Sequence, residues 1–267
     1  LFIATCLTTF LAGILLANDG TKGLAKILEE AVLYAGPLML ILVCHEMGHF
    51  LQSHRYGVYA TYPYFIPFPS LIGTMGAVIF MEPRMGNRRA LFDIGITGPL
   101  AGLVPTLLCC YIGIKFSQIE PMHSVRGAAI SAPIIMGIMT ELVGKHIPPG
   151  FVLNIHPIAF AGWVGLLITS LNLFPIGQLD GGHVLYALLR KKAHFVARFI
   201  LYAAAALVIF SGLWMWLPML ALIFYFGPKH PPTANDDEPI GIIRIILGWL
   251  TLAFVIVGFT PNPFLFP

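Results

Sequence analysis

Charged side chains are what this sequence has least of. Asp, Glu, Lys and Arg together make up 10% of its 267 residues, while 58% are hydrophobic. A soluble domain carries about 25% charged and about 45–50% apolar residues. With a mean hydropathy of +0.85, the composition excludes an ordinary soluble globule and reads as an all-α polytopic membrane protein. Basic clusters are also missing. The net charge is only +3, and the scattered Lys and Arg leave no footprint for nucleic acid. The four cysteines, Cys6, Cys44, Cys109 and Cys110, lie in apolar segments without a CxxC pair. They read as buried thiols and exclude a disulfide framework. Internal repeats are not evident, so a single domain over 1–267, with its core over 31–226, is expected. Leu1 already lies in an apolar run, and the natural N-terminus is expected to extend further.

What the chain has is long apolar runs. A helix needs about 20 apolar residues to cross a bilayer. Candidate spans are Leu1–Ala17, Ala31–Gln52, Leu91–Phe116, Ile158–Gln178, Phe195–Phe226 and Ile240–Phe259. The fifth is too long for one simple span, and Gly212 and Pro218 predict a break in it. The total is six or seven transmembrane helices.

Two apolar stretches do not read as spans. Tyr62–Phe80, "YPYFIPFPSLIGTMGAVIF", carries Pro63, Pro67, Pro69, Gly73 and Gly76. Irregular backbone at membrane depth survives only where protein or a water-filled cavity covers it. A re-entrant loop is predicted, with Thr74–Phe80 extended. Val125–Gly144 reads as an interfacial helix or a partial insertion, and Gly227–Pro239 as a polar external loop. Arg55, Arg84, Arg88 and Arg89 follow the second span, and Arg190, Lys191, Lys192 and Arg198 follow the fourth. The opposite loops carry Lys22, Lys26, Lys115, Arg126 and Lys145 over a greater length. The positive-inside rule places the first set on the cytoplasmic side or its topological equivalent.

The chemistry concentrates in "ILVCHEMGHFLQ", Ile41–Gln52. Residues four apart share one face of a helix. His45 and His49 can therefore bind one metal ion, with Glu46 close enough to act as general base on a metal-held water. A catalytic metal of this kind normally takes three protein ligands and keeps one position open. Asp93, Asp180 and His183 are the candidates for the third. The end of the fourth span returns to the side on which the second ends, which puts Asp180 at the depth of the two histidines. Asp93 falls nearer the membrane boundary and reads as a packing or capping residue at a helix start. Pro175, Gly177, Gly181 and Gly182 break helix geometry around Asp180. Ionisable groups inside a membrane are costly and point to function. His54, His156, His194 and His230 read as interfacial or loop residues, and Gly98 and Gly102 as a GxxxG packing pair.

His45-Glu46-Met47-Gly48-His49, Asn172 and Leu179-Asp180-Gly181 resemble the paired motifs of the site-2 proteases, the intramembrane zinc metalloproteases of peptidase family M50. "GTMGAVIF" (Gly73–Phe80) and "GPLAG" (Gly98–Gly102) also fit. "PYFIPFPSLIGTMGA" and "HPIAFAGWVGLLITSLNLFPIGQLDGG" are most similar to the cyanobacterial and plastid branch. The resemblance covers roughly Pro37–Pro232. It departs at His183, where that branch often has Arg.

The resemblance implies one zinc ion per chain on His45, His49 and Asp180, with Glu46 catalytic and Asn172 serving the oxyanion or the substrate backbone. It also implies a transmembrane protein as substrate, in a bacterial inner or thylakoid-like membrane, with the active site nearer the cytoplasmic side. A membrane helix must unwind before it is cut. The strand over Thr74, Met75, Gly76, Ala77 and Val78 is the edge on which an unwound segment could pair. A metal-ion transporter or sensor using the same ligands is the alternative. A catalytically silent homologue that binds membrane segments is a third reading.

Overall fold

A computed structural model describes residues 1–81, 86–122 and 129–265. Arg84 and Arg126, two of the residues in the charge comparison, lie outside them. The described residues form nine α-helices and six short strands. The helices are α1 (Phe2–Ala17), α2 (Leu24–Arg55), α3 (Arg88–Phe116), α4 (Ile134–Leu142), α5 (Pro157–Asn172), α6 (Asp180–Leu189), α7 (Ala193–Ser211), α8 (Leu217–Phe226) and α9 (Ile242–Gly258). Three helical runs are long and apolar enough to cross a membrane: Leu24–Arg55, Arg88–Phe116 and Asp180–Ser211. The last joins α6 and α7 through a single 3-10 turn. The apolar helices α1, α5, α8 and α9 are shorter.

The centre is a three-helix core of α2, α3 and α5, with α6 on the other flank of α3 and α1 on α2. Small residues let these backbones meet, as is usual where lipid supplies no hydrophobic drive between helices. A Cβ on Gly113 of α3 would lie 2.1 Å from the Ala159 amide nitrogen of α5, and one on Gly162 would lie 2.7 Å from that of Cys110. Trp163, Tyr34, Leu38 and Leu166 are fully buried around that seam.

The helix ends differ from the expected spans for local reasons. α2 begins seven residues earlier than expected, at Leu24, and carries Pro37 inside it. α5 stops at Asn172, and Leu173–Leu179 is non-helical, which the Pro175 and Gly177 signals anticipate. Asp180 consequently opens a new helix instead of ending the old one. The expected break in the fifth run is real: α7 ends on Gly212 in a left-handed conformation (φ 67°), and α8 starts with Pro218 in its first turn.

The predicted extended segment is the second strand of a hairpin. β1 (Tyr64–Pro67) pairs antiparallel with β2 (Thr74–Val78), with a register shift between Phe65 and Pro67. The hairpin and its flanks run along α2. Tyr62 stacks on Phe50, the Ser53 hydroxyl reaches the Met81 sulfur, and the Tyr34 hydroxyl donates to the Ile72 carbonyl at 2.8 Å. On the opposite side lie two more strand pairs. β3 (Gln118–Pro121) pairs with β5 (Phe151–Asn154), and β4 (Ala129–Ile130) with β6 (Phe264–Leu265).

Gly227–Pro239 is non-helical, in line with the reading as a polar external loop, but it is tied to the helix ends. It is a strap fastened to the ends of α3 and α6. Ala234 donates to the Gly86 carbonyl and Arg88 to the Asn235 carbonyl. Arg88 reaches the carbonyls of Ala187, Leu188 and Glu238, Arg89 pairs with Glu238 and Arg190 with Asp237. Several of the basic residues expected to mark the cytoplasmic face therefore also hold this strap.

Candidate metal centre

The site starts from α2. The 3.6-residue repeat places His45 and His49 one turn apart, and both are buried, with exposures of 4% and 5%. Glu46 is equally buried at 5%. Asp180, 135 residues from His45 in sequence, arrives on the first turn of α6. Its Oδ2 lies 3.1 Å from His45 Nε2 and its Oδ1 lies 3.2 Å from His49 Nε2. The two Nε2 atoms are 3.3 Å apart. Donors about 2.0–2.1 Å from a tetrahedral zinc stand roughly 3.3 Å from each other, so the donor set has the spacing and the chemistry for zinc. Among the described residues this is the group of three His, Cys, Asp or Glu that could hold a metal ion.

Tautomer and ring position are fixed from outside the donor set. His49 Nδ1 lies 2.7 Å from the Ile94 carbonyl. A carbonyl only accepts, so Nδ1 carries a proton and Nε2, on the side of Asp180, is the nitrogen left for a metal, the arrangement a ligating histidine needs. Asn172, the last residue of α5, brings its amide nitrogen to 3.3 Å from His45 Nε2.

Sequence reasoning missed what α3 contributes. Gly95, Gly98 and Gly102 line the helix that covers the histidines. A Cβ on Gly98 would fall 2.0 Å from His49 Nε2, and one on Gly102 would fall 3.0 Å from His45 Cβ. One on Gly95 would meet His183 Cβ at 3.0 Å. The GxxxG pair is thus a seat for the imidazoles as well as a packing device. Gly48, inside the His-Glu-x-x-His motif, has a matching role: a Cβ there would meet the Thr97 carbonyl at 2.5 Å. Gly181 and Gly182 let the first turn of α6 press on Leu173–Gly177, where added Cβ atoms would lie 2.0 Å from the Leu173 carbonyl and 2.3 Å from that of Gly177.

The other candidates fall elsewhere. Asp93 is not a cap, because α3 begins earlier and Asn87 caps it by accepting from the Ala90 amide. Asp93 instead makes two 2.7 Å bonds with Arg244 of α9 and accepts from the Tyr56 hydroxyl. His183 is buried, and its recorded partner is His230 at 2.6 Å; among the described residues it is not one of the metal group. His230, read as a loop residue, is buried at 6%. The strand Thr74–Val78 lies on α1 and α2. Its only strand partner among the described residues is β1.

Helices apolar enough for a membrane thus carry a His-His-Asp cluster with zinc spacing beside a buried glutamate. The family model for peptidase family M50 matches residues 33–214, and the chain belongs to that family. It is 29% identical over 243 residues to "Probable zinc metalloprotease EGY1, chloroplastic" of Oryza sativa subsp. japonica, covering 86% of this chain and 42% of that protein. It is 27% identical over 246 residues to "Probable zinc metalloprotease EGY2, chloroplastic" of Arabidopsis thaliana, covering 90% and 44%. These relatives agree with the plastid-type resemblance. The chain spans less than half the length of the curated relatives it matches. No solved structure matches it.

Proposed function

We propose that the chain is a zinc-dependent intramembrane endopeptidase that cleaves transmembrane segments of other membrane proteins. The observation that carries this reading is the meeting of Asp180 with His45 and His49 at 3.1 and 3.2 Å, beside Glu46 and within apolar helices. One zinc ion per chain would sit on His45, His49 and Asp180. When bound there, it supplies a water of pKa about 7 and polarises the scissile carbonyl.

The chain's own groups do the rest. Glu46 takes the proton of the attacking water and hands it to the leaving amine. The Asn172 amide donates to the oxyanion or holds the substrate backbone. His49 keeps its tautomer through the Ile94 carbonyl. Residues Thr74, Met75, Gly76, Ala77 and Val78 offer an edge for an unwound substrate segment. The position of the hairpin supports this role. Its turn touches α2 at Tyr34 on one side of the motif, and its flanks touch α2 at Phe50 and Ser53 on the other, so it spans the depth of the site.

The chain is read as one integral-membrane domain that crosses the bilayer six or seven times. His45 lies ten residues before the end of α2, about 15 Å by helical rise, which supports a centre nearer the basic, cytoplasmic side. Transport pathways need polar groups at several depths. The metal donors here sit at one level, which favours the peptidase over the transporter.

The test is Glu46→Gln in liposomes that also carry single-span reporter proteins. Wild type cleaves a reporter within its span and the variant does not, while zinc content stays unchanged. Cleavage at the wild-type rate by Glu46→Gln would overturn the mechanism.

A further inference from the structure

We propose that His183 and His230 are positioning residues for Asp180: a bolt between the Gly227–Pro239 strap and α6 that holds the third ligand at the metal centre. The inference rests on the zinc reading above and extends it to two residues outside the ligand set.

The hydrogen bonding of the pair has one consistent direction. His230 Nδ1 lies 2.5 Å from the Pro231 carbonyl, which can only accept, so Nδ1 carries the proton. Its Nε2 therefore offers a lone pair, and His183 Nδ1–H donates to it at 2.6 Å. The His230 ring is held from other sides too. Tyr186 stacks on it with centroids 4.6 Å apart, and the Tyr186 hydroxyl donates to Asp236 farther along the strap at 2.8 Å. His194 Nε2–H donates to the His230 carbonyl at 3.0 Å. Both histidines of the bolt are buried. Buried polar groups that satisfy one another in this way fix one arrangement, because parting them leaves each unpaired.

The bolt connects to the metal centre by contact. His183 is one turn from Asp180 on α6. A Cβ on Gly95 of α3 would meet His183 Cβ at 3.0 Å and the Asp180 carbonyl at 3.6 Å, so both residues rest on the same spot of α3. That spot lies one turn from Gly98, the seat of His49. At the other end, the strap begins where the Gly227 carbonyl would lie 2.8 Å from a Cβ on Gly177, and the Gly177 carbonyl supports Gly182. Strap, turn and α6 are nested without intervening side chains. Asp180 has no helical turn before it on its own element to hold it, so its position depends on this nest. Residues that hydrogen-bond or pack against the ligands of a metal site orient those ligands in the same way.

The test measures zinc affinity by chelator competition on the full chain in detergent, with the unfolding temperature measured alongside. His230→Leu and His183→Leu remove the bond. His230→Gln keeps an acceptor near the Nε2 position, and His183→Asn keeps a donor near the Nδ1 position. Arg190→Gln loosens the strap at its exposed outer contact with Asp237 and leaves the bolt intact. Asp180→Ala is the control for the ligand itself. The expected result is an affinity loss of about ten-fold or more in the Leu variants, recovered largely in His230→Gln and His183→Asn, with Arg190→Gln within about two-fold of wild type.

Wild-type zinc affinity in a folded His230→Leu would overturn the bolt and leave the zinc site standing, provided Asp180→Ala still loses its zinc. Equal losses in Arg190→Gln and His230→Leu would also overturn it, in favour of general loosening. If the Leu variants fail to fold, His230→Gln decides: weak zinc binding in that folded variant contradicts the proposal. Zinc retained in full by Asp180→Ala would overturn the underlying site, and the bolt with it.

Discussion

Gly98 and His49 occupy each other's space: a single methyl group on Gly98 would sit 2.0 Å from the ring nitrogen that faces Asp180. No rotamer change of the methyl can relieve such a clash, so the imidazole or the helix must move. Gly98→Ala is expected to lower zinc affinity by about 10–100-fold, the range for losing a residue that orients a metal ligand. Gly102→Ala meets His45 at 3.0–3.4 Å and should cost less. Chelator competition on the two variants checks the order. Equal and negligible effects would show that α3 yields easily.

The pairing of Asp93 with Arg244 fastens α9 to α3. Arg244→Leu leaves a largely buried carboxylate with the Tyr56 hydroxyl as its remaining partner and should lower stability by about 1–2 kcal/mol, below the roughly 3–5 kcal/mol of a fully buried pair because Arg244 is partly exposed. Adding Asp93→Asn removes the orphaned charge and should restore part of the loss. Thermal unfolding in detergent measures both. A double variant less stable than Arg244→Leu would mean that Asp93 has a second role.

Acid should loosen the strap. Burial holds the His230 pKa down at about 4, from an ordinary 6.5; nearby His194 adds to the lowering, while the bond to Pro231 and the charge of Asp236 oppose it. The seated form of His230 is neutral. As pH falls from 6.5 toward 4, a detached strap takes up the proton that the seated one refuses, so the contribution of His230 to closure is lost across that window and is exhausted below it. Limited proteolysis or hydrogen exchange over Gly227–Pro239 should rise between those pH values in wild type and much less in His230→Gln. A pH-independent rate in wild type would contradict this.

Zinc that binds the folded chain and not the unfolded one also stabilises it. Stripping the metal with chelator should lower the unfolding temperature of wild type and of Glu46→Gln alike, and that of Asp180→Ala hardly at all. A drop in all three would indicate that the chelator acts on something other than this site.

Much of this was legible in the residues. The spacing of His45, Glu46 and His49 makes sense only on a helix, and counting chain reversals brings Asp180 to their depth. The irregular Tyr62–Phe80 segment with its extended end and the break at Gly212 were written in proline and glycine, although the pairing of β2 with β1 was not. What escaped was information carried by empty space and by distance along the chain. Gly98 and Gly102 announce close packing, but a missing side chain does not say that the neighbour is an imidazole. The strap is polar and proline-rich, so it reads as solvated, although its carbonyls and acids are taken up by Arg88, Arg89 and Arg190. The Asp93–Arg244 pair joins residues 151 apart, with no periodicity to connect them.

The most direct test of the central claim is the metal content of the purified chain in detergent, measured by elemental analysis on wild type, Asp180→Ala and Glu46→Gln. The account predicts about one zinc per chain in wild type and in Glu46→Gln and almost none in Asp180→Ala, since the site needs its third protein ligand while Glu46 is a base and not a ligand. Metal-free wild type, or an Asp180→Ala variant that keeps its zinc, would contradict it.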